Sequence, residues 1–319
     1  MMSKYLMIIA ALTVVICGCK KDLSQAEADF TVSADKNTIT LGDTVRFSFT
    51  GNPDVITFYS GLVGKRYEYR ERTSAEGTSQ LSFRTARLTG GTQPNSLALM
   101  ISQDFQGVIF NDIPGTLQRI STAGWTDITT RATLATGPTA VPSGNIDLTD
   151  YAAQNRPVYL AFKYTGLAGS TQNRWFIDLF SLKNLLADGT SYEIANHNFA
   201  NVGFTNYGVT TYSPGFVGYP MENIFNWTFN TSSLAINGAS SAQAAANRSE
   251  AWAIMGPIDL KKVTPDVGEP VKSVAQKTST IKYTYKYPQK GTFNATFSGG
   301  SVSIEASKYS SKKIEITVN

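Results

Sequence analysis

Histidine is almost missing from this chain, with His197 alone among 319 residues. That scarcity removes any multi-histidine metal centre and leaves one position from which a histidine-based triad could be built. Its surroundings, Ala195-Asn196-His197-Asn198-Phe199, hold no paired nucleophile at an informative spacing, so a surface or hydrogen-bonded histidine is expected. Cysteine is nearly as scarce: Cys17 and Cys19 are the only two. Charge of one sign is lacking too, since 28 Lys and Arg stand against 24 Asp and Glu and the net +4 is spread along the chain. Phosphate binding wants clustered Lys and Arg, so no nucleic-acid partner is expected. The nearest thing to a cluster, Lys308 to Lys313 (KYSSKK), reads as a solvated strand edge on which lysine blunts pairing with other chains.

Long apolar runs are confined to YLMIIAALTVVI, residues 5–16, which follows Lys4. The run is too short to span a bilayer comfortably and carries a basic residue ahead of it, the pattern of a secretory signal. It ends in Ile16-Cys17-Gly18-Cys19, which resembles a bacterial lipobox: a small residue at the cut and a thiol directly after it. The resemblance implies cleavage after Gly18 and lipid on the thioether and new amino terminus of Cys19. Acyl chains contribute about 0.8 kcal/mol per buried methylene, and two or more hold a protein stably at a membrane. Leu23 aside, residues 20–28 are polar or small, as a tether should be. Both cysteines are then consumed, and an exported chain of about 300 residues must take its stability from core packing without disulfides.

Extended segments rich in Val, Ile, Thr, Phe and Tyr, separated by Gly, Asn, Pro and Asp, predict an all-β fold. Near the start, Asp29 to Val32, Thr38 to Leu41, the alternating Val45, Phe47 and Phe49, and Val55 to Tyr59 read as four strands. Four short strands are too few for a closed unit. The far end supplies more: Ile281 to Tyr287, Thr292 to Phe297, Val302 to Ala306 and Lys313 to Val318. The pieces TITLGDTVRFSFTGNP and YTYKYPQKGTFNATF resemble the two halves of a PKD-type, immunoglobulin-like sandwich. The W-x-F-G-D-G centre usual in that family is absent, and Ile56-Thr57-Phe58-Tyr59-Ser60-Gly61 stands in its place. The expected organisation is a signal at 1–18, a tether at 19–28, a split domain at 29–66 and 267–319, and an insertion at 67–266.

Within the insertion, Leu81 to Thr85, Ser96 to Ser102, Trp125 to Ile128, Val158 to Tyr164, Trp175 to Leu182 and Ala251 to Ile254 read as strands. Short strands between Gly and Pro turns suit a jelly-roll β-sandwich. The segments LALMISQDFQG, WTDIT, SGNIDLTDY, PVYLAFKY and RWFIDLFSL are similar to jelly-roll, galactose-binding-like domains of Bacteroidetes cell-surface lipoproteins, an uncharacterised family often linked to glycan-uptake systems. That resemblance implies a lipid-anchored outer-membrane protein, at the cell surface, holding polysaccharide beside an outer-membrane transporter. It carries over no catalytic or binding residue.

Catalysis finds little support. Glycoside hydrolysis needs two carboxylates facing each other across a cleft. Asp104, Asp127, Asp147, Asp150, Asp178 and Glu193 are candidates, but Asx turns are their expected role. No cofactor is expected beyond a structural calcium that one of these, with backbone carbonyls, could hold. Sugars need aromatic planes for their weakly apolar faces and polar side chains for their hydroxyls. A stretch of loops broken by Gly203, Gly208, Pro214, Gly215 and Gly218 supplies both, and Tyr212, Tyr219 and Trp227 are its candidate contacts. Trp125, Trp175 and Trp252 read as core instead. The expected function is non-enzymatic polysaccharide binding at the cell surface. The alternatives are a structural or adhesive surface protein binding protein partners and, behind it, a glycoside hydrolase.

Overall fold

The computed structural model describes residues 28–88, 91–196, 203–206, 209–212, 215–223, 225–276, 282–303 and 306–319. Cys17, Cys19 and His197 lie outside them. The chain divides into two compact all-β units, one formed by residues up to Glu71 together with Asp266–Asn319, the other by Arg72–Pro265.

The first unit begins with β1 (Phe30–Ala34), β2 (Thr38–Ile39), β3 (Thr44–Gly51) and β4 (Val55–Tyr59). In β3 the expected alternation is realised, with Val45, Phe47 and Phe49 buried and Thr44, Arg46 and Ser48 exposed.

The second unit opens with β5 (Thr78–Leu88) and β6 (Leu97–Ser102), then helix α1 (Ile113–Thr122). Short strands β7 (Thr126–Asp127), β8 (Val141–Pro142) and β9 (Ile146–Asp147) precede the long β10 (Val158–Gly166) and β11 (Arg174–Leu185). After β12 (Ser191–Asn196) come β13 (Gly203–Asn206), β14 (Val209–Tyr212), β15 (Val217–Glu222), β16 (Thr228–Phe229), β17 (Ser233–Asn237) and β18 (Ser249–Ile258). One sheet runs β15-β18-β10-β6-β7; the other runs β16-β17-β11-β5-β8, with β12 beside β11 and β9 beside β5.

The two faces of each sheet differ in what covers them. In the first sheet, Leu160, Phe162 and Tyr164 of β10 and Ala251, Ala253 and Met255 of β18 join the core shared by both sheets. The alternate residues Ala161, Trp252 and Ile254 pack on the opposite face with Ile120 and Leu117 of α1. Helix α1 starts where Asp112 accepts a hydrogen bond from the Gly115 amide at 2.9 Å, an N-cap, and its Leu117 and Ile120 face the sheet. Both faces of this sheet are therefore covered. In the second sheet, Trp175, Ile177, Phe180 and Leu182 of β11 and Leu81 and Phe83 of β5 enter the shared core. The alternate residues of β11 and β5 belong to no core cluster among the described residues.

The chain then returns to the first unit with β19 (Glu269–Lys272), β20 (Lys282–Lys286), β21 (Gly291–Val302) and β22 (Ser307–Val318). A three-stranded sheet β1-β3-β20 and a five-stranded sheet β19-β4-β21-β22-β2 share one core. Its centre is aromatic: Phe297 lies 4.8 Å from both Phe47 and Phe58, ring centre to ring centre. Strand β4 from the N-terminal piece pairs with β19 and β21 from the C-terminal piece, so neither piece forms this sheet alone. The Arg66 amide and Nε both donate to Asp266 Oδ2, at 2.9 and 3.1 Å, and clasp the two points at which the chain leaves and rejoins this unit.

Candidate functional site

Three antiparallel strands, β17, β11 and β5, build the face of the second sheet that carries no core cluster among the described residues. Cross-strand register places Phe176 opposite Ala86 on one side and Ala235 on the other. Phe176 alternates with Trp175 and Ile177, both in the core, so its ring stands on the outer side, half-buried. Its neighbours offer only methyl groups, which leaves the ring the tallest apolar feature of its row. One row along, Asp178 opposes Arg84, and the guanidinium grips the carboxylate with Nε at 2.9 Å and Nη2 at 2.6 Å. This two-pronged bond, with the attraction of the Asp178 charge, raises the Arg84 pKa above the ordinary arginine value. In the row on the other side, Arg174 Nε donates to Asn237 Oδ1 at 2.5 Å. An apolar ring thus lies between two fixed polar pairs.

Next to the Arg84–Asp178 pair, β11 carries one residue more than its partner. The register jumps between Asp178 and Ser181, with Leu179 at φ +49°. That left-handed backbone is costly for a leucine, on the order of 1 kcal/mol or more. The bulge resets the alternation: without it Phe180 would face solvent, and with it Phe180 is buried while Leu179 is 52% exposed. Leu179 lines a groove of about 220 Å³ together with Ser82, Arg84, Pro142 and Asn145. Phe176 and Leu179 are separated along the strand by about 10 Å at the usual rise of 3.3 Å per residue. The site is therefore elongated, with an aromatic platform, a charged pair and a groove in succession along β11.

The residues expected from sequence are placed elsewhere. Tyr219 is 3% exposed and packs with Trp252 and Ile254 on the face that α1 covers. Trp227 is 4% exposed, sits in the shared core, and donates its indole N–H to the Ala251 carbonyl at 3.2 Å. Neither offers a ring face to a ligand, which corrects the expectation for both: Gly218 reads as a loop breaker, yet β15 continues through it. The Tyr212 side chain, like Cys19, lies outside the described residues, although the Tyr212 backbone pairs with Gly203. The face around Phe176 was missed because Trp175-Phe176-Ile177 reads as one apolar run.

The candidate carboxylates are engaged structurally. Asp104 accepts from the Gly124 amide, Asp127 from Thr129 and Asp147 from Thr149. Asp150 accepts from both Nη atoms of Arg131, and those bonds lead the causes holding its carboxyl below the ordinary aspartate value. Glu193 meets Ser181 and Lys183. Among the described residues no three His, Cys, Asp or Glu side chains converge as a metal site. No described helix is long and apolar enough to cross a membrane.

No curated protein and no solved structure matches this chain. A family model described as a domain of unknown function (DUF5017) matches residues 18–202, a span that contains β5 and β11 with Arg84, Phe176, Asp178 and Leu179. That span is more than half of the 319 residues, and the chain belongs to the DUF5017 family.

Proposed function

We propose that this chain is a lipid-anchored outer-membrane protein that binds polysaccharide at the cell surface and supports its capture by a transporter, with no catalysis of its own. On this reading the first unit is an immunoglobulin- or PKD-like sandwich that serves as a platform behind the Cys19 anchor, and the second is a jelly roll that reads the glycan. The observation that carries the reading is the Phe176 ring between Ala86 and Ala235, flanked by Arg84–Asp178 and Arg174–Asn237. A pyranose has one weakly apolar face and a rim of hydroxyls that both donate and accept, and this face of the sheet matches it in that order. Recognition on paired strands needs no loop to order on binding, which lowers the entropic cost.

Affinity electrophoresis of the mature protein against a panel of polysaccharides tests the reading. Retardation by at least one glycan is expected, and unchanged migration of a folded sample in every gel removes the reading. The adhesive alternative is favoured by a separate observation: Phe110 and Ile113, at the start of α1, are 66% and 55% exposed. Retardation by no glycan, together with self-association lost in a Phe110→Ser, Ile113→Ser variant, would move the protein to that class.

A further inference from the structure

The second unit carries another cavity, of about 310 Å³, whose lining includes Asn155, Arg156, Asp259 and Lys261. Its floor is apolar, formed by Ala152 and Leu260, and Pro157 adds an apolar wall. We propose that this cavity is a second saccharide site, which takes a single neutral sugar residue such as the end of a chain. The proposal rests on the glycan reading above and names a different place and a different mode of contact.

The charges in the lining select the ligand. Lys261 Nζ is spent on Glu76 Oε1 at 2.7 Å and Asn155 Oδ1 at 2.6 Å, so it is neutralised and held. Arg156 makes no ion pair among the described residues; Nη2 meets only the Gln154 amide oxygen, at 3.2 Å. Asp259 likewise has no cationic partner among the described residues, and its Oδ1 accepts from the Lys261 amide at 2.9 Å. The cavity therefore presents one uncompensated guanidinium and one uncompensated carboxylate. An anion entering it meets the Asp259 charge, a cation meets Arg156, and a purely apolar ligand leaves both desolvated without partners. A neutral polyol satisfies both, since each hydroxyl can accept from Arg156 and donate to Asp259.

The walls are preorganised. Gln103 Nε2 donates to the Tyr151 and Arg156 carbonyls at 3.2 and 3.3 Å, and the Asn155 amide donates to the Ala152 carbonyl at 3.1 Å. Asn155 sits at φ +53°, a left-handed conformation that asparagine tolerates better than most residues, and Pro157 stiffens the chain two positions on. The volume lies at the lower limit of ligand pockets, about 300–1,000 Å³, which suits one pyranose and not a chain of them. With no aromatic ring in the lining, contact is by hydrogen bonds over an aliphatic floor, unlike the stacking at Phe176.

Saturation-transfer NMR of the mature protein with glucose, galactose, mannose, xylose and arabinose tests this. Transfer to at least one sugar is expected, unchanged in Phe176→Ala protein and weakened roughly tenfold or more in Kd by Arg156→Ala or Asp259→Asn. Both polar variants change exposed residues, and their folding is checked by thermal melting. Absence of transfer from all five sugars, or transfer that survives both substitutions, overturns the proposal; so does preferential binding of free glycine, a zwitterion that would use the same two charges. If polysaccharide is retarded in gels while no monosaccharide binds, the cavity proposal fails and the Phe176 reading stands. If neither is seen, both fail.

Discussion

Truncating Phe176 to alanine should weaken glycan binding while leaving the fold in place. A pyranose laid on the ring removes on the order of 40 Å² of apolar surface from each partner, and at about 25 cal/mol per Å² the contact contributes about 2 kcal/mol. That corresponds to a roughly 30-fold rise in Kd. The cost to the fold is smaller, because the ring is half-buried, belongs to no core cluster, and the new methyl matches those of Ala86 and Ala235 across the strands. A unit of this size should lose no more than about 2–4 °C in Tm. Affinity electrophoresis over a series of polysaccharide concentrations gives Kd, and circular dichroism melting gives Tm, on the same samples. Phe176→Trp keeps a flat apolar ring and should hold or increase retardation. Unchanged Kd in Phe176→Ala protein of native Tm would refute the placement of the glycan on this face, whatever else binds.

Trp227→Ala should lower unfolding stability by about 3–5 kcal/mol in urea titration, as for a large buried ring, and Trp227→Phe should leave glycan affinity unaltered; a selective loss of affinity would return Trp227 to the binding surface. The Gly299→Ala variant should be destabilised by about 1–3 kcal/mol, because its Cβ would come within 2.4 Å of the Phe30 ring; equal stability in urea would contradict that packing. Glu250 offers a pH test. Partial burial opposes its ionisation, but the Trp252 indole N–H, Arg248 and Lys163 outweigh that and hold its pKa below the ordinary value of 4.5. A lowered carboxyl pKa stabilises the fold above the unfolded-state pKa and ceases to do so as pH falls through the folded one. Wild-type stability should therefore decline below about pH 4.5, and Glu250→Gln should flatten that acid limb; identical slopes for the two proteins would contradict it.

Much of the architecture could be read from residue order because the physical signal is local. Val45, Phe47 and Phe49, or Ile314, Ile316 and Val318, declare a half-buried strand by alternation alone, and the structure places strands at both. Of Val302 to Ala306, expected as a separate strand, Val302 is instead the last residue of β21, which pairs with β22, and residues 304–305 lie outside the described residues. Helix α1 went unread because Ile113-Pro114-Gly115 looks like a turn, although Asp112 before it and Leu117 and Ile120 after it are a cap and an apolar face. The face around Phe176 was hidden for a different reason. Arg84 and Asp178 are 94 residues apart, and nothing local announces that they meet. The bulge at Leu179 also breaks the parity of β11, so counting by twos from Trp175 assigns Phe180 to the wrong side. Tyr219 shows the converse: Val217 and Tyr219 alternate as a buried strand does, a signal outweighed by the glycines around it.

The clasp between Arg66 and Asp266 has a consequence for how this protein can change. The second unit departs after Glu71 and the chain is back in the first unit at Asp266, close to strands β4 and β19, which are hydrogen-bonded neighbours in one sheet. To the first unit, everything between is a loop whose ends are already together. Doubling the length of such a loop adds only about 0.6 kcal/mol of closure entropy, so the intervening 194 residues are constrained by their own core and not by the strands that hold them. The second unit can lengthen, shrink or be exchanged for another while the register of β4 against β19 and β21 stays as it is. On the proposed reading, ligand preference and attachment are thus free to diverge separately, although they are encoded in one uninterrupted chain.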